Sequence, residues 1–546
     1  MTRCSTSNTA RKCGEQMFFY DMNLRGKCSL YEYLYRRIRH DIAHGTIAPG
    51  EKLPSKRNLA KHLGVSLITV EAAYQQLAAE GYIRSRERCG YYASDLAPAE
   101  RVQQTSNERL GTTHLGEASG ASGSLQEAND RGNAHDTGRS SARIGVQAPR
   151  SRPRATDGAE AADAALDAAP SLLADFTHST LATELFPYAT WAKTVRKTLS
   201  DESAATLAEA SSAAGSPQLR QAIADHLREY RGMHVSAQQI VIGAGAQTLY
   251  QLVVQLLGRN RTFAAETPGY PLLARMYQQQ NVQIAHVPLD EGGIAMEQLA
   301  HSGASVAHIM PSHQFPTGIV TTASRRRELL NWAREEDRYL IEDDYDAEFR
   351  MAGRPIPPLF SIDAAERVLY LNSFAKSLGA AFRMAYLVLP PRLAQQFHAQ
   401  LGFYANTVSP LDQLALARFI ESGSYERHVN RLRTRARKTQ DALVGALREH
   451  FGSSVSFTGL NNGLHFIMQL ESKQSEAALA NAALEHGIRI APLSQFDESG
   501  STGTANVSSS GNTTPAAPRP QFILRNDAID AESAEAIAAA LTNAWA

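Results

Sequence analysis

Lys376 stands in the run Ser373-Phe374-Ala375-Lys376-Ser377-Leu378-Gly379-Ala380-Ala381-Phe382-Arg383. Two apolar runs flank it, Val368-Leu369-Tyr370-Leu371 and Met384-Ala385-Tyr386-Leu387-Val388-Leu389, and both read as buried strands, the second closed by Pro390-Pro391. A lysine held in a short inter-strand turn can condense with an aldehyde, and Ser373 and Arg383 add a hydroxyl and a guanidinium suited to a phosphate. An aldehyde and a phosphate on one small molecule describe pyridoxal 5'-phosphate (PLP). The ordinary alternative is a surface lysine beside a surface arginine, because both types are mostly exposed. The choice between them rests on other stretches.

Three such stretches precede the lysine. Ile240-Val241-Ile242 reads as a strand that Gly243-Ala244-Gly245-Ala246-Gln247 turns into a helix, so the free amides around Ala246 and Gln247 can face a phosphate. Tyr270 follows a strand and the turn Glu266-Thr267-Pro268-Gly269, where an aromatic can stack on a flat heterocycle or join the core. Tyr339-Leu340-Ile341 runs into Glu342-Asp343-Asp344-Tyr345-Asp346-Ala347-Glu348-Phe349, acidic residues around a tyrosine at a strand end. One carboxylate there can pair with a pyridinium nitrogen and a phenol can bond a ring hydroxyl. The same carboxylates could hold Mg²⁺, but no Gly-Lys-Ser/Thr phosphate motif accompanies them, and no metal site is expected. Strands alternating with helices predict an α/β domain over residues 172–546.

The elements before that domain are of another kind. Ser29-Leu30-Tyr31-Glu32 has the capping-box pattern, followed by Leu34, Ile38 and Ile42 on one helical face and a stop near Gly45. A short helix carrying Leu59 and Leu63 is closed by Gly64, and Ser66 caps a third presenting Val70, Tyr74 and Leu77. Tyr82 to Tyr92 reads as an arginine-rich hairpin. Helix, helix-turn-helix and basic hairpin predict a winged helix-turn-helix over residues 25–96. Residues 25–95 hold twelve Lys/Arg against seven Asp/Glu, a surplus of five positive charges in a chain that is balanced overall, so the remainder is about as acidic. Double-stranded DNA is the expected partner, with Lys56, Arg57, Lys61, Arg84, Arg86 and Arg88 as basic candidates.

At 546 residues the chain exceeds one hydrophobic core. Residues 1–24 read as a polar tail, and 97–171, dominated by small and polar residues without apolar period, read as a flexible linker. About 75 residues of such coil reach roughly 45–50 Å root-mean-square. Asp497–Pro520 reads as a disordered insert. The four cysteines, Cys4, Cys13, Cys28 and Cys89, show no metal-ligand spacing and read as free thiols. No apolar run reaches the length of a membrane helix, and residues 1–15 lack a signal-peptide core, so the cytoplasm is expected and a membrane is not.

Pro49-Gly50-Glu51-Lys52-Leu53-Pro54-Ser55-Lys56-Arg57, Gly64-Val65-Ser66-Leu67-Ile68-Thr69-Val70 and Gly81-Tyr82-Ile83 resemble the N-terminal domain of GntR-type regulators. Leu67 departs from the pattern, standing where the family commonly has arginine. The resemblance implies that Ser66 and Thr69 also belong to the DNA-facing set. Pro311-Ser312-His313-Gln314-Phe315-Pro316-Thr317-Gly318, the acidic run and Ser-Phe-Ala-Lys, in this order, resemble fold-type-I PLP-dependent aminotransferases, and the fusion resembles MocR-type transcriptional regulators. That resemblance implies Lys376 as the Schiff-base lysine, Asp343 as the pyridine-nitrogen partner, Tyr345 as the ring-hydroxyl partner and Tyr270 as the stacking aromatic. Ser373, Arg383 and the Ala246–Gln247 amides would hold the phosphate, and Arg525 a substrate carboxylate. It also implies a homodimer, and a choice between a regulator sensing an amine or amino acid and a working aminotransferase with a DNA-binding extension. Phe315 replaces an asparagine of the enzymes, and Ala210–Gly215 lacks a tyrosine they lend to the partner's phosphate, which weakens the enzyme more than the cofactor.

Overall fold

The computed structural model describes residues 20–95, 172–497 and 519–546, apart from 21, 26–27, 44, 87–89 and 352–356. The linker, most of the N-terminal tail, most of the insert, Arg88 and the cysteines Cys4, Cys13 and Cys89 lie outside the described residues. Cys28 is a free thiol.

Three helices build the first module, α1 (Leu30–Ala43), α2 (Lys56–Leu63) and α3 (Leu67–Ala79). The Ser55 hydroxyl accepts from the Asn58 amide, and Gly64 takes the left-handed conformation (φ 64°) that ends α2. An antiparallel hairpin, β1 (Ile83–Arg86) and β2 (Gly90–Ala93), pairs Ile83 with Ala93 and completes the wing. Leu34, Ile38, Leu59, Val70, Tyr74 and Leu77 close on one another as its core. The helical spacing therefore places the same residues inside that the sequence sets on one face.

The second module is organised on an eight-stranded sheet of order β4-β11-β10-β9-β8-β5-β6-β7. Its strands are β4 (Ile240–Gly243), β5 (Thr262–Thr267), β6 (Gln283–Asp290), β7 (Gly293–Ile294), β8 (Val306–Ile309), β9 (Tyr339–Asp343), β10 (Val368–Ser373) and β11 (Ala385–Val388). β6, β5, β8, β9 and β10 are mutually parallel, whereas β11 runs antiparallel to both of its neighbours, β4 and β10. Four of the parallel strands end at Thr267, Ile309, Asp343 and Ser373, so the segments that follow gather at one edge of the sheet, where α/β folds bind ligands. The central strands are buried on both sides, as their unbroken apolar runs require.

A smaller sheet of order β12-β13-β16-β15 joins β12 (Val455–Thr458), β13 (His465–Leu470), β15 (Ala491–Pro492) and β16 (Gln521–Arg525), while β14 (Ile488–Arg489) pairs with β3 (Ala174–Asp175). The 28-residue helix Ser424–Phe451 packs against this sheet through Leu443 and Leu447.

The connection from β10 to β11 is more structured than the short turn the sequence suggests. One helical turn, Ala375–Leu378, and a 3-10 turn, Ala380–Phe382, occupy it, and Lys376 sits on the first. The amides of Ser377 and Leu378 both bond the Phe374 carbonyl, so the segment closes on itself instead of crossing directly between strands.

The two modules touch through the end of α3. The Ala323 amide donates to the Glu80 carbonyl at 3.1 Å, and the Arg350 guanidinium donates to the Gln76 side chain at 3.3 Å. Gly81 has φ 75°, and a Cβ there would lie 3.1 Å from the Thr322 side chain. Glycine serves both the backbone and the close approach.

Candidate functional site

The crevice at the strand ends is built around Asp343, the last residue of β9. Its Oδ2 accepts the Tyr250 hydroxyl at 2.6 Å and lies 3.3 Å from His308 Nε2. His308 Nδ1 in turn lies 2.8 Å from the Tyr277 hydroxyl. A phenol donating to Nδ1 leaves the ring proton on Nε2, which is then given to Asp343. Two donors thus hold one oxygen of a buried carboxylate, while Oδ1 is buried without any partner. An unmatched buried acceptor is costly. A protonated ring nitrogen is the kind of donor that completes it.

Lys376 lies nearby, and burial, reinforced by the Arg525 charge, pushes its amine down to about 8. A depressed ammonium keeps a larger share of reactive free amine near neutrality. Beneath it, Ser377 bonds Tyr425 at 3.0 Å, and its carbonyl accepts from His428 Nε2 at 2.6 Å, so the turn carrying the lysine is anchored to the long helix.

The anion-binding corner is equally specific. The helix Ala246–Leu257 starts after Gly245, whose φ is 88° and whose missing Cβ would lie 3.3 Å from the Arg383 guanidinium. Arg383 is exposed, itself at φ 48°, and bonds the Ala244 carbonyl at 3.3 Å. The Ser373 hydroxyl accepts from the Ala375 amide at 3.2 Å. Thr407, which no sequence motif singles out, accepts from the Ala244 amide at 3.1 Å. The helix that begins at Ala246 and Gln247 thus opens beside an exposed guanidinium, after a glycine at positive φ. These residues fit a phosphate, and the open oxygen of Asp343 fits a pyridine ring.

The acidic run divides its labour. Glu342 accepts from the Leu359 and Phe360 amides, at 2.8 and 3.0 Å, and burial beside Asp344 raises it to about 7. Asp344 pairs with Arg231 and accepts from Tyr370 at 2.9 Å. Asp346 bonds His313 Nδ1 at 2.8 Å, and Tyr345 lies 3.3 Å from the same nitrogen. The carboxylates of the run serve different partners and do not converge as a Mg²⁺ cage would. Asp346 of the run instead meets two histidines, and donor atoms of His313, Asp346 and His465 lie within 4.8 Å of one another.

Tyr270 is half-buried and edge-on to Phe315 at 6.3 Å. Phe315, in the place of an asparagine, contributes only ring contacts with Tyr270, His465 and Phe496. Arg525 ends β16 opposite His465, and its guanidinium is held by Asp527 at 2.9 and 2.7 Å. Tyr250, His308 and Asp527 are the residues that sequence reasoning missed. The signal for His308 was a histidine inside the apolar run of a strand; for Tyr250 it was the position one turn past Ala246.

In the first module, Arg57, Arg84 and Arg86 are exposed, and Arg86 lies 4.6 Å from the centre of the Tyr92 ring. Lys56 is instead partly buried and paired with Glu71 at 2.5 Å. Ser66 caps α3, its hydroxyl accepting from the Thr69 amide at 3.1 Å and meeting the Thr69 hydroxyl at 2.8 Å.

Residues 180–515 match the aminotransferase class I and II family, which is PLP-dependent, and residues 30–92 match the bacterial regulatory proteins of the gntR family. The chain is 33% identical to the HTH-type transcriptional regulator YhdI of Bacillus subtilis, over 87% of this chain and 90% of that one. It is 27% identical to the probable rhizopine catabolism regulatory protein MocR of Rhizobium meliloti, over 85% and 87%. Its fold is similar to that of a multiple substrate aminotransferase from Thermococcus profundus, with a TM-score of 0.59 and 21% identity over 72% of this chain and 95% of that one. Among the described residues no helix is long and apolar enough to cross a membrane.

Proposed function

Since the chain belongs to the MocR-type regulators, in which a GntR-type helix-turn-helix domain precedes a class I and II aminotransferase domain, we propose that it is a DNA-binding transcriptional regulator that senses an amine or amino acid through bound PLP. The DNA-binding module spans 25–96 and the PLP-binding module 172–546, and a homodimer presents two winged helices to duplex DNA. The cytoplasm suits both ligands.

When bound, PLP would supply an aldehyde with which an amine can condense, and Lys376 would hold it. The chain's own groups do the rest. Asp343 receives the ring N–H on the oxygen that has no other partner, and Tyr250 and His308 keep it oriented. Arg383, Ser373 and the Ala246–Gln247 amides take the phosphate, Tyr270 covers the ring and Tyr345 bonds its hydroxyl. Burial first, and the Arg525 charge second, loosen the proton on the Lys376 amine, and Arg525, steadied by Asp527, takes a substrate carboxylate.

What supports regulation most is the packing of the α3 end, through Glu80 and Gly81, on Thr322 and Ala323 of the PLP-binding module. A ligand moves that contact only if the two arrangements bind it differently, and useful coupling is about 1–3 kcal/mol, roughly 5- to 150-fold in affinity. Coupling is reciprocal. An amine that shifts the cofactor's absorption should therefore bind the holoprotein with different affinity when operator duplex is present. Equal affinity with and without duplex would sink the sensor reading in favour of a tethered aminotransferase, which the joint retention of Lys376 and Arg525 also suits. Rapid half-transamination of a series of amino acids would mark that second reading.

A further inference from the structure

α3 carries two large apolar side chains that its own fold does not use. Leu67 and Ile68, the first two residues of the helix, are 42% and 76% exposed, although Val70, Ala73, Tyr74 and Leu77 on the same helix are buried. The opposite end of α3 is engaged, since Gln76 and Glu80 bond the PLP-binding module. The apolar pair sits about 15 Å away along the axis, at a rise of ~1.5 Å per residue. It stands free, and exposed Arg57, Lys61 and Arg84 belong to the elements flanking α3.

Resting on the reading that this module binds duplex DNA, we propose that Leu67 and Ile68 read the 5-methyl groups of thymines in the major groove. The first turn of a recognition helix is the part that meets base edges. Each base edge there offers hydrogen-bonding atoms, and thymine alone among the four adds a methyl. Leucine and isoleucine neither donate nor accept, so against guanine they would bury the N7 and O6 acceptors without partners, a penalty. Against thymine they cover a methyl group at a gain. The hydroxyls of Ser66 and Thr69 are turned to the cap between them, which leaves the two aliphatic side chains as the groups this turn presents. The substitution of leucine for the arginine common at this position thus exchanges a guanine reader for a thymine reader.

The test uses the full PLP-loaded chain. A preferred duplex is selected from a random library, and each thymine in it is then replaced singly by deoxyuridine, which removes only the methyl. Uracil at one or two adjacent positions should weaken binding about 3- to 5-fold, the equivalent of one buried methyl. The double variant Leu67→Ala/Ile68→Ala should bind the thymine and uracil duplexes equally while keeping the parent's salt dependence, since no phosphate contact is lost. Both residues are exposed, so an unchanged melting temperature should certify the fold, and Ile68→Val should restore part of the thymine preference. A chain that selects a duplex yet ignores every methyl, or a double alanine variant that still discriminates thymine from uracil, overturns this proposal alone. A chain that selects no duplex overturns the DNA reading and this proposal with it.

Discussion

The crevice around Asp343 and the exposed face of the winged helix handle charge in opposite ways. In the crevice nearly every ionised group already has a partner. Asp344 has Arg231 and Tyr370, Asp346 has His313 and Arg525 has Asp527, while Oδ1 of Asp343 is left without a partner. On the winged helix, Arg57 and Arg84 extend into solvent, whereas Lys56 is paired with Glu71 and Arg36 with Glu32. A buried site must be satisfied before its ligand arrives, because unmatched polar groups there cost free energy. A surface for a polyanion needs no such arrangement, since its cations are solvated until counterions are released.

That contrast can be broken first at Lys376. Borohydride treatment of the holoprotein should fix one pyridoxyl group to Lys376, and Lys376→Ala should abolish the adduct while leaving DNA affinity intact; a mass adduct on another lysine would refute the assignment. Asp343→Asn comes next. It removes the charge that meets the ring nitrogen, so the Kd for PLP should rise about 10- to 100-fold by equilibrium dialysis, and an unchanged Kd would place the ring elsewhere.

A subtler effect concerns pH. Because the Lys376 amine is depressed to about 8, capture of PLP by the apoprotein should accelerate as pH rises through that value, well below the range of a free lysine. Arg525→Gln removes the second cause of the depression and should move the midpoint upward; a midpoint that stays put would show burial acting alone. The linkage has a matching sign. Charging this amine opposes folding below about pH 8, so its contribution is least unfavourable at higher pH.

The smallest effects belong to the open surface. Arg84→Ala should lower the salt slope of DNA binding by about one and weaken all sequences alike. Lys56→Ala, which breaks a pair with Glu71 instead of a phosphate contact, should change affinity less than Arg84→Ala does. A larger loss at Lys56 than at Arg84 would reverse the assignment of roles on this face.

How much of this could be read from residues alone follows the same division. The winged helix was legible almost throughout, because a capping serine, a left-handed glycine and one apolar stripe are local signals, and Gly64 and Ser66 fall where those signals put them. The strands of the large sheet were legible as apolar runs, and Asp343 and Ser373 close two of them. What was not legible was pairing across the fold. Nothing in the spacing tells that Tyr250 and His308 share one oxygen of Asp343, since they come from three elements brought together only by sheet order. The same holds for Lys56 and Glu71. The helical turn under Lys376 was hidden because a four-residue helix leaves no periodic trace.

The Glu80 end of α3 has a mechanical corollary. Thirteen residues make a stiff rod about 20 Å long, clamped at one end against Ala323 and loaded at the other by whatever its first turn touches. Over that length a rotation of ~10° at the clamp swings the tip by roughly 3.5 Å, close to the ~3.4 Å step from one base pair to the next. A change at the clamp too small to alter any secondary structure is therefore large enough to shift the tip by one rung of the DNA ladder.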